Sequence, residues 1–375
     1  MLDGGSADES IYFLCHPDTG PPEHRIRQHG QVCLAEGLRA LGVRAFANVD
    51  YWRESVESDR YLLRVNPDVA PSECSAVVCS ADWFRRGGTL PSELLRSDRS
   101  HALVLIDDED GSRTLGYSPL ARRFDLVLRC HFNDRLDSPE NIRPWAFGLS
   151  ERVLRELTPV PKREGRAASL LVNFRPQRRV HSVRRVARKH VVPKLERLLA
   201  IDDTIERRSS APQDPYHRLQ WQQTGRRHHP AYYRRLRSSL ACAAWGGFFV
   251  PTRPTDQTSF GSRVLKHVLS RLELSSSRVI QWDSWRLWEA LAAGCATYHL
   301  DLDRYGCRLP VMPENWRHYI GIDFGDVDTA IARIQADQTL MERVGTAGAE
   351  WARTHYSPEP TARRLLVLVD EVKRL

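Results

Sequence analysis

Residues 281–295 read QWDSWRLWEALAAGC, and the reading of the whole chain hangs on them. Apolar residues at helical spacing predict a helix over 285–293, Gly294 stops it, and the apolar run 296–300 that follows predicts a strand. On such a helix Ser284 and Trp288 share one face and Trp285 and Glu289 the next. The small run Ala292, Ala293 and Gly294 lets the helix end approach a ligand closely.

Working outward, residues 232–238 read as a helix leading into 240–250, an apolar run that reads as one buried strand, and 251–277 as an insertion rich in Ser and Thr at both ends. Further upstream, 168–174 reads as a strand and 181–200 as a long basic helix kinked at Pro193. Three helical patterns close the chain, the last over 360–375. The first third repeats the alternation: strand 11–15, helix 31–41 stopped by Gly42, strand 43–47, then strands at 75–79, 102–106 and 125–130. Pro159, Pro161 and the polar run 162–166 mark a hinge between them. Two α/β halves, each a doubly wound parallel sheet wrapped by helices, are expected.

The length of 375 residues allows two full cores, and 41% apolar with 27% charged residues excludes wholesale disorder. No apolar stretch approaches the roughly 18 residues of a membrane span, so a cytoplasmic protein is expected. The eight cysteines contain no C-x-x-C pair and read as buried thiols, and the excess of 50 arginines over 5 lysines reads as the mark of a GC-rich genome. The net charge of +8 is local: residues 162–240 carry 20 basic and 6 acidic side chains, whereas 1–161 are net negative and 241–375 neutral. Such a block suits an anion, either a nucleotide diphosphate or a nucleic-acid backbone; a solvated Arg-rich helix face is the plain alternative.

The order of pieces resembles the nucleotide-sugar-binding half of GT-B glycosyltransferases, most nearly the exostosin-like and spore-coat-type members. Those show a helix ending in Leu-x-x-Ser, a buried strand, S-x-R-x-x-E-A-x-x-x-G-C and an Asp before a Pro; the counterparts are Leu236 to Ser239, Ser284, Arg286, Glu289, Ala290, Gly294, Cys295 and Asp301, within about residues 168–360. The resemblance implies two Rossmann-like domains facing across a cleft: residues 1–160 for the acceptor, 161–357 for the nucleotide sugar, and a helix over 358–375 packing back on the first. It implies transfer of a hexosyl or pentosyl group from a nucleotide-diphosphate sugar, UDP-sugar as first guess, to a hydroxyl of a small molecule or glycan, with no metal and no other cofactor.

The resemblance also implies the site. Glu289 corresponds to the carboxylate that accepts hydrogen bonds from the ribose hydroxyls, while Ser284 and Arg286 stand at a helix start where a diphosphate binds. Arg175 and Arg178, before the basic helix, would hold the leaving pyrophosphate. Strand ends point at the cleft in such folds, which makes Asp107, His131 and Asn133 acceptor contacts and His16 or Asp18 a general base. A turn or cap at Asp18 and a satisfied ring at His16 are the alternatives. The retaining members carry an acid seven or eight places before the ribose carboxylate, where this chain has Trp282 and Gln281. Asp108-x-Asp110 resembles a two-carboxylate metal site, but lies in the wrong half for the donor and also reads as a turn. The rival readings are a nucleic-acid-binding or nucleic-acid-modifying protein that uses the 162–240 block, and an inactive relative that binds a partner in the same cleft.

Overall fold

The computed structural model describes residues 9–16, 29–108, 119–174, 182–204, 210–250 and 278–374. The first half is built on a parallel six-stranded sheet, with strands β1 (Ser10–Leu14), β2 (Arg44–Ala47), β5 (Ala76–Ser80), β6 (Ala102–Asp107), β7 (Leu126–Arg129) and β8 (Ile142–Pro144). Their order is β2-β1-β5-β6-β7-β8, and a small antiparallel hairpin, β3 (Tyr51–Arg53) with β4 (Tyr61–Leu63), stands beside them. Both faces of the sheet are covered, so its strands are apolar almost throughout. Ile11, Phe13, Val78, Val104 and Ile106 face one core, and Tyr12, Leu14, Val77, Leu103 and Leu105 the other. The first core also takes in Ala362, Leu365 and Val369 of the helix Pro358–Lys373, so the last helix of the chain packs on its first sheet. It lies against the helix His29–Ala40 at Gly37, where any Cβ would meet the Ala362 side chain at 2.7 Å.

The second half carries a five-stranded parallel sheet of order β10-β9-β11-β14-β15, formed by β9 (Ala167–Leu171), β10 (Ala200–Asp202), β11 (Ser239–Ala243), β14 (Ala296–Leu300) and β15 (Ile320–Ile322). The helix Trp285–Ala292 precedes β14 and buries Leu287, Trp288, Ala290 and Leu291; Gly294, at φ +74°, ends it. Trp288 lies 4.4 Å from Tyr356 and 6.0 Å from Trp351, ring centre to ring centre, which fixes the Trp285–Ala292 helix on the helix Leu340–Tyr356.

Two expectations change. Residues 240–250 are two strands, not one: β11 ends at Ala243, and β12 (Phe248–Val250) turns away to pair antiparallel with β13 (Arg278–Ile280). The cause is Gly246-Gly247, where Gly247 has φ +93° and a Cβ would stand 2.6 Å from the Ile280 carbonyl. The basic helix divides into Ser182–His190 and Val192–Leu195 and stops short of 200, because β10 begins there. The insertion at 251–277 lies outside the described residues. All eight cysteines are buried free thiols.

Candidate functional site

Glu289 reaches the seam between the halves from the middle of its helix and is 8% exposed. Its Oε1 accepts a hydrogen bond of 3.0 Å from the Tyr233 hydroxyl, carried by the helix Pro230–Ser238 that precedes β11. The Tyr233 oxygen in turn accepts from Arg152 Nη1 at 2.7 Å. Arg152 belongs to the short helix Glu151–Glu156, whose Val153 packs in the second core while Glu36 and Arg39 of the first half hold Glu151. Burial raises the Glu289 carboxyl above the usual range, with Arg152 the strongest opposing influence.

The start of that helix is the other feature. Ser284, its N-cap, uses its hydroxyl for no cap bond; among the described residues the buried Ser284 Oγ and Arg286 Nε have no hydrogen-bond partner. Buried polar atoms left open beside exposed helix N–H groups are what a bound anion would satisfy. Facing this point, His29 begins the first helix of the other half with its ring 4.8 Å from that of Trp285, and the Arg227 guanidinium lies 5.9 Å from the Trp285 ring centre.

Between these features runs the loop 281–284, fastened to the first half. Gln281 and His131 both adopt left-handed backbone, at φ +56° and +60°. His131 Nδ1 accepts from the Asp283 amide at 3.0 Å, Asp283 Oδ2 accepts from the Phe147 amide at 3.0 Å, and Asp283 Oδ1 from Trp288 Nε1 at 2.7 Å. Burial raises Asp283 to about 7 against the pull of these bonds. Asn133 Nδ2 donates to the carbonyls of Val279 and Tyr305, so both its hydrogens are spent tying the two halves together.

At the strand ends of the first half, Asp107 is paired with Arg129 at 3.2 Å, with side chains 1% and 5% exposed. Asp82 is held by Arg85 and Arg86, and burial followed by the Asp107 charge raises Asp108 to about 7. His16 follows β1 with its ring 6.3 Å from Trp83. Asp18, Arg175, Arg178 and Asp110 lie outside the described residues, and Arg184 donates to the Trp245 carbonyl at 3.0 Å.

One cluster has the composition of a metal site: Glu156, His217 and His228, with nitrogen-to-nitrogen spacing of 3.0 Å and nitrogen-to-oxygen spacings of 3.5 and 3.6 Å. Arg152 Nη1 stands 3.0 Å from His228 Nδ1. A guanidinium only donates, so Nδ1 accepts and the neutral ring carries its proton on Nε2, the atom that faces the other two groups. Burial, then Arg152, lowers the His228 ring to about 2 and keeps it neutral. The trio is the end of a hydrogen-bonded chain, with Nε2 of His228 donating to Nδ1 of His217, and is poorly suited to a cation.

Arg152, Tyr233 and Asp283 escaped the sequence reading. Arg152 meets partners 76 and 81 positions away, so nothing local marks it. Asp283 lay inside the deciding stretch, and its place beside the N-cap was the available signal.

No family model and no curated protein matches the sequence. Among solved structures, an alpha-glucosyltransferase in complex with UDP and a 13-mer DNA containing a central A:G mismatch is similar at a TM-score of 0.51 and 10% identity, over 96% of this chain and 99% of that one. A glycosyltransferase from Rickettsia africae ESF-5 is similar at 0.49 and 10%, over 98% and 99%. Sucrose-phosphate synthase from Thermosynechococcus elongatus follows at 0.44 and 14%, over 97% and 99%. The alpha-glucosyltransferase likeness spans nearly all of both chains, and with two parallel sheets meeting at a seam the fold is GT-B.

Proposed function

We propose that the protein transfers a sugar from a nucleotide-diphosphate donor to an acceptor hydroxyl. The observation that carries the reading is the pairing, on one helix, of a buried carboxylate held by the Tyr233 hydroxyl and a start whose buried Ser284 Oγ and Arg286 Nε have no hydrogen-bond partner among the described residues. A carboxylate that only accepts suits the two ribose hydroxyls, and a helix start with a guanidinium suits the diphosphate. Arg175 and Arg178 then meet the charge that grows on the leaving pyrophosphate, and no metal is required there. UDP is the first nucleotide to test, since the alpha-glucosyltransferase it resembles in fold is described in complex with UDP.

In this reading the chain divides into 1–160, 161–357 and 358–375, with the acceptor on the first part. His131 stays a candidate acceptor contact, and His16 and Asp18 the candidates for general base. Asn133 and Asp107 act by holding the seam and the strand ends. A second reading, in which the acceptor hydroxyl belongs to nucleic acid, draws on the basic block at 162–240 and on the DNA in the same alpha-glucosyltransferase complex. An inactive relative and a plain nucleic-acid binder remain the rivals of both.

A thermal-shift screen over nucleoside diphosphates, followed by donor hydrolysis and transfer, tests the proposal: the preferred nucleotide raises the unfolding midpoint by mass action and its sugar is turned over. Binding without turnover would point to the inactive relative. No shift with any nucleotide, together with oligonucleotide affinity that falls steeply with salt, would replace the transferase reading by nucleic-acid binding.

A further inference from the structure

Arg152 stands at the centre of a hydrogen-bonded chain whose directions its Nη1 fixes. Its Nη1 supplies both the 2.7 Å bond to the Tyr233 oxygen and the 3.0 Å bond to His228 Nδ1. Because the guanidinium accepts nothing, Tyr233 must turn its one proton outward, and it meets Glu289 Oε1 at 3.0 Å. On the other branch, His228 Nε2 donates to His217 Nδ1 at 3.0 Å. His228 is fully buried and Arg152 5% exposed, so water does not compete for these bonds.

We propose that Arg152 is a positioning residue for Glu289: it aligns the Tyr233 hydroxyl on Oε1, which orients the carboxylate toward the nucleotide ribose. The inference rests on the ribose reading of Glu289 given above. The Arg152 charge also opposes the burial that raises the Glu289 carboxyl, and so works against the protonated form, which offers a hydrogen where the ribose needs an acceptor. The Glu151–Glu156 helix is held by Glu36 and Arg39 of the first half, so Glu289 owes its orientation to a residue at the seam and not to its own domain alone.

The test is calorimetry with UDP on the full chain. Arg152→Met weakens binding about tenfold, the scale of one bond to a charged group. Arg152→Lys recovers most of it, since one nitrogen makes both bonds and an ammonium carries three hydrogens. In a Glu289→Gln background Arg152→Met adds less than about twofold, because the two act as one unit. Should Arg152→Met fail to fold, Tyr233→Phe carries the same cycle with only a hydroxyl removed. Three results overturn the inference: an unchanged dissociation constant, an equal loss in the Glu289→Gln background, which would make Arg152 a direct ligand contact, or stoichiometric zinc on the Glu156, His217 and His228 trio, which would displace the His228 proton. If the wild-type protein binds no nucleoside diphosphate, the ribose reading fails separately. Carbon-13 titration of the Glu289 carboxyl then decides: a rise in Arg152→Met keeps the link between the two residues, and no change removes it.

Discussion

At the strand ends of the first half, buried carboxylates meet arginines: Asp107 faces the buried Arg129, and Asp82 is held by Arg85 and Arg86, which are less buried. At the helix start of the second half, the buried Ser284 Oγ and Arg286 Nε have no hydrogen-bond partner among the described residues, and Glu289 Oε1 accepts from a neutral tyrosine hydroxyl. Both regions are polar and shielded, so burial alone does not tell a site from a scaffold. What differs is how the charge is met: Asp107 and Asp82 have arginine partners, whereas Ser284 Oγ and Arg286 Nε have no hydrogen-bond partner among the described residues. On the proposed reading, the second half binds the nucleotide there and the charges at the first half's strand ends serve the fold.

The largest effect should come from breaking the buried ion pair. Arg129→Met leaves Asp107 buried without its main opposite charge and is expected to cost about 3–5 kcal/mol of stability in denaturant unfolding. A loss below about 1 kcal/mol would place Asp107 among the ligand-facing groups after all.

Ser284→Ala sharpens the other side of the contrast. Removing a hydroxyl that has no partner should leave the unfolding midpoint unchanged or slightly raised, while UDP binding weakens by about 1 kcal/mol. Equal losses in stability and binding would mean that the hydroxyl serves the fold.

A smaller effect separates the seam from both. Glu36, pushed up to about 8 by burial, prefers its protonated form in the folded state, so its contribution to stability is full below the unfolded value near 4.5 and is lost as pH rises through about 8. His29, lowered to about 3, acts in the opposite sense and favours the folded state increasingly as pH rises from about 3 to 6.5. Between pH 6.5 and 8 stability should therefore fall, and Glu36→Gln, which keeps an acceptor for the Glu151 amide, should flatten that slope by up to about 1 kcal/mol per pH unit. A slope unchanged in Glu36→Gln would assign it to Asp108 and Asp283, both raised to about 7.

What could be read from residue order is what depends on neighbours in sequence. The apolar runs of β1, β5, β6 and β7, the helix that carries Glu289 and its stop at Gly294 all follow from local periodicity and a single glycine. The break between β11 and β12 had its signal in Gly246-Gly247, but the apolar residues around it read as one run. The helix Pro215–Gln223 has little apolar pattern to show, because its work is polar: Gln223 bonds both the amide and the carbonyl of Arg53, 170 residues away. Glu289 was legible because its motif is contiguous, whereas Arg152 and Tyr233, which hold it, come together only when separate elements pack. Asn133 looked like a ligand contact from its place after a strand, and only its bonds to Val279 and Tyr305 reveal a tie between the halves.

The central claim, that Glu289 is the nucleotide-binding carboxylate, is tested most directly by calorimetric titration of UDP into wild type and Glu289→Gln. A loss of about 1.5–3 kcal/mol in binding, with the unfolding midpoint unchanged, is the predicted result. An unchanged dissociation constant, or a loss matched by destabilisation of the fold, would contradict it and return Glu289 to the role of a buried structural carboxylate.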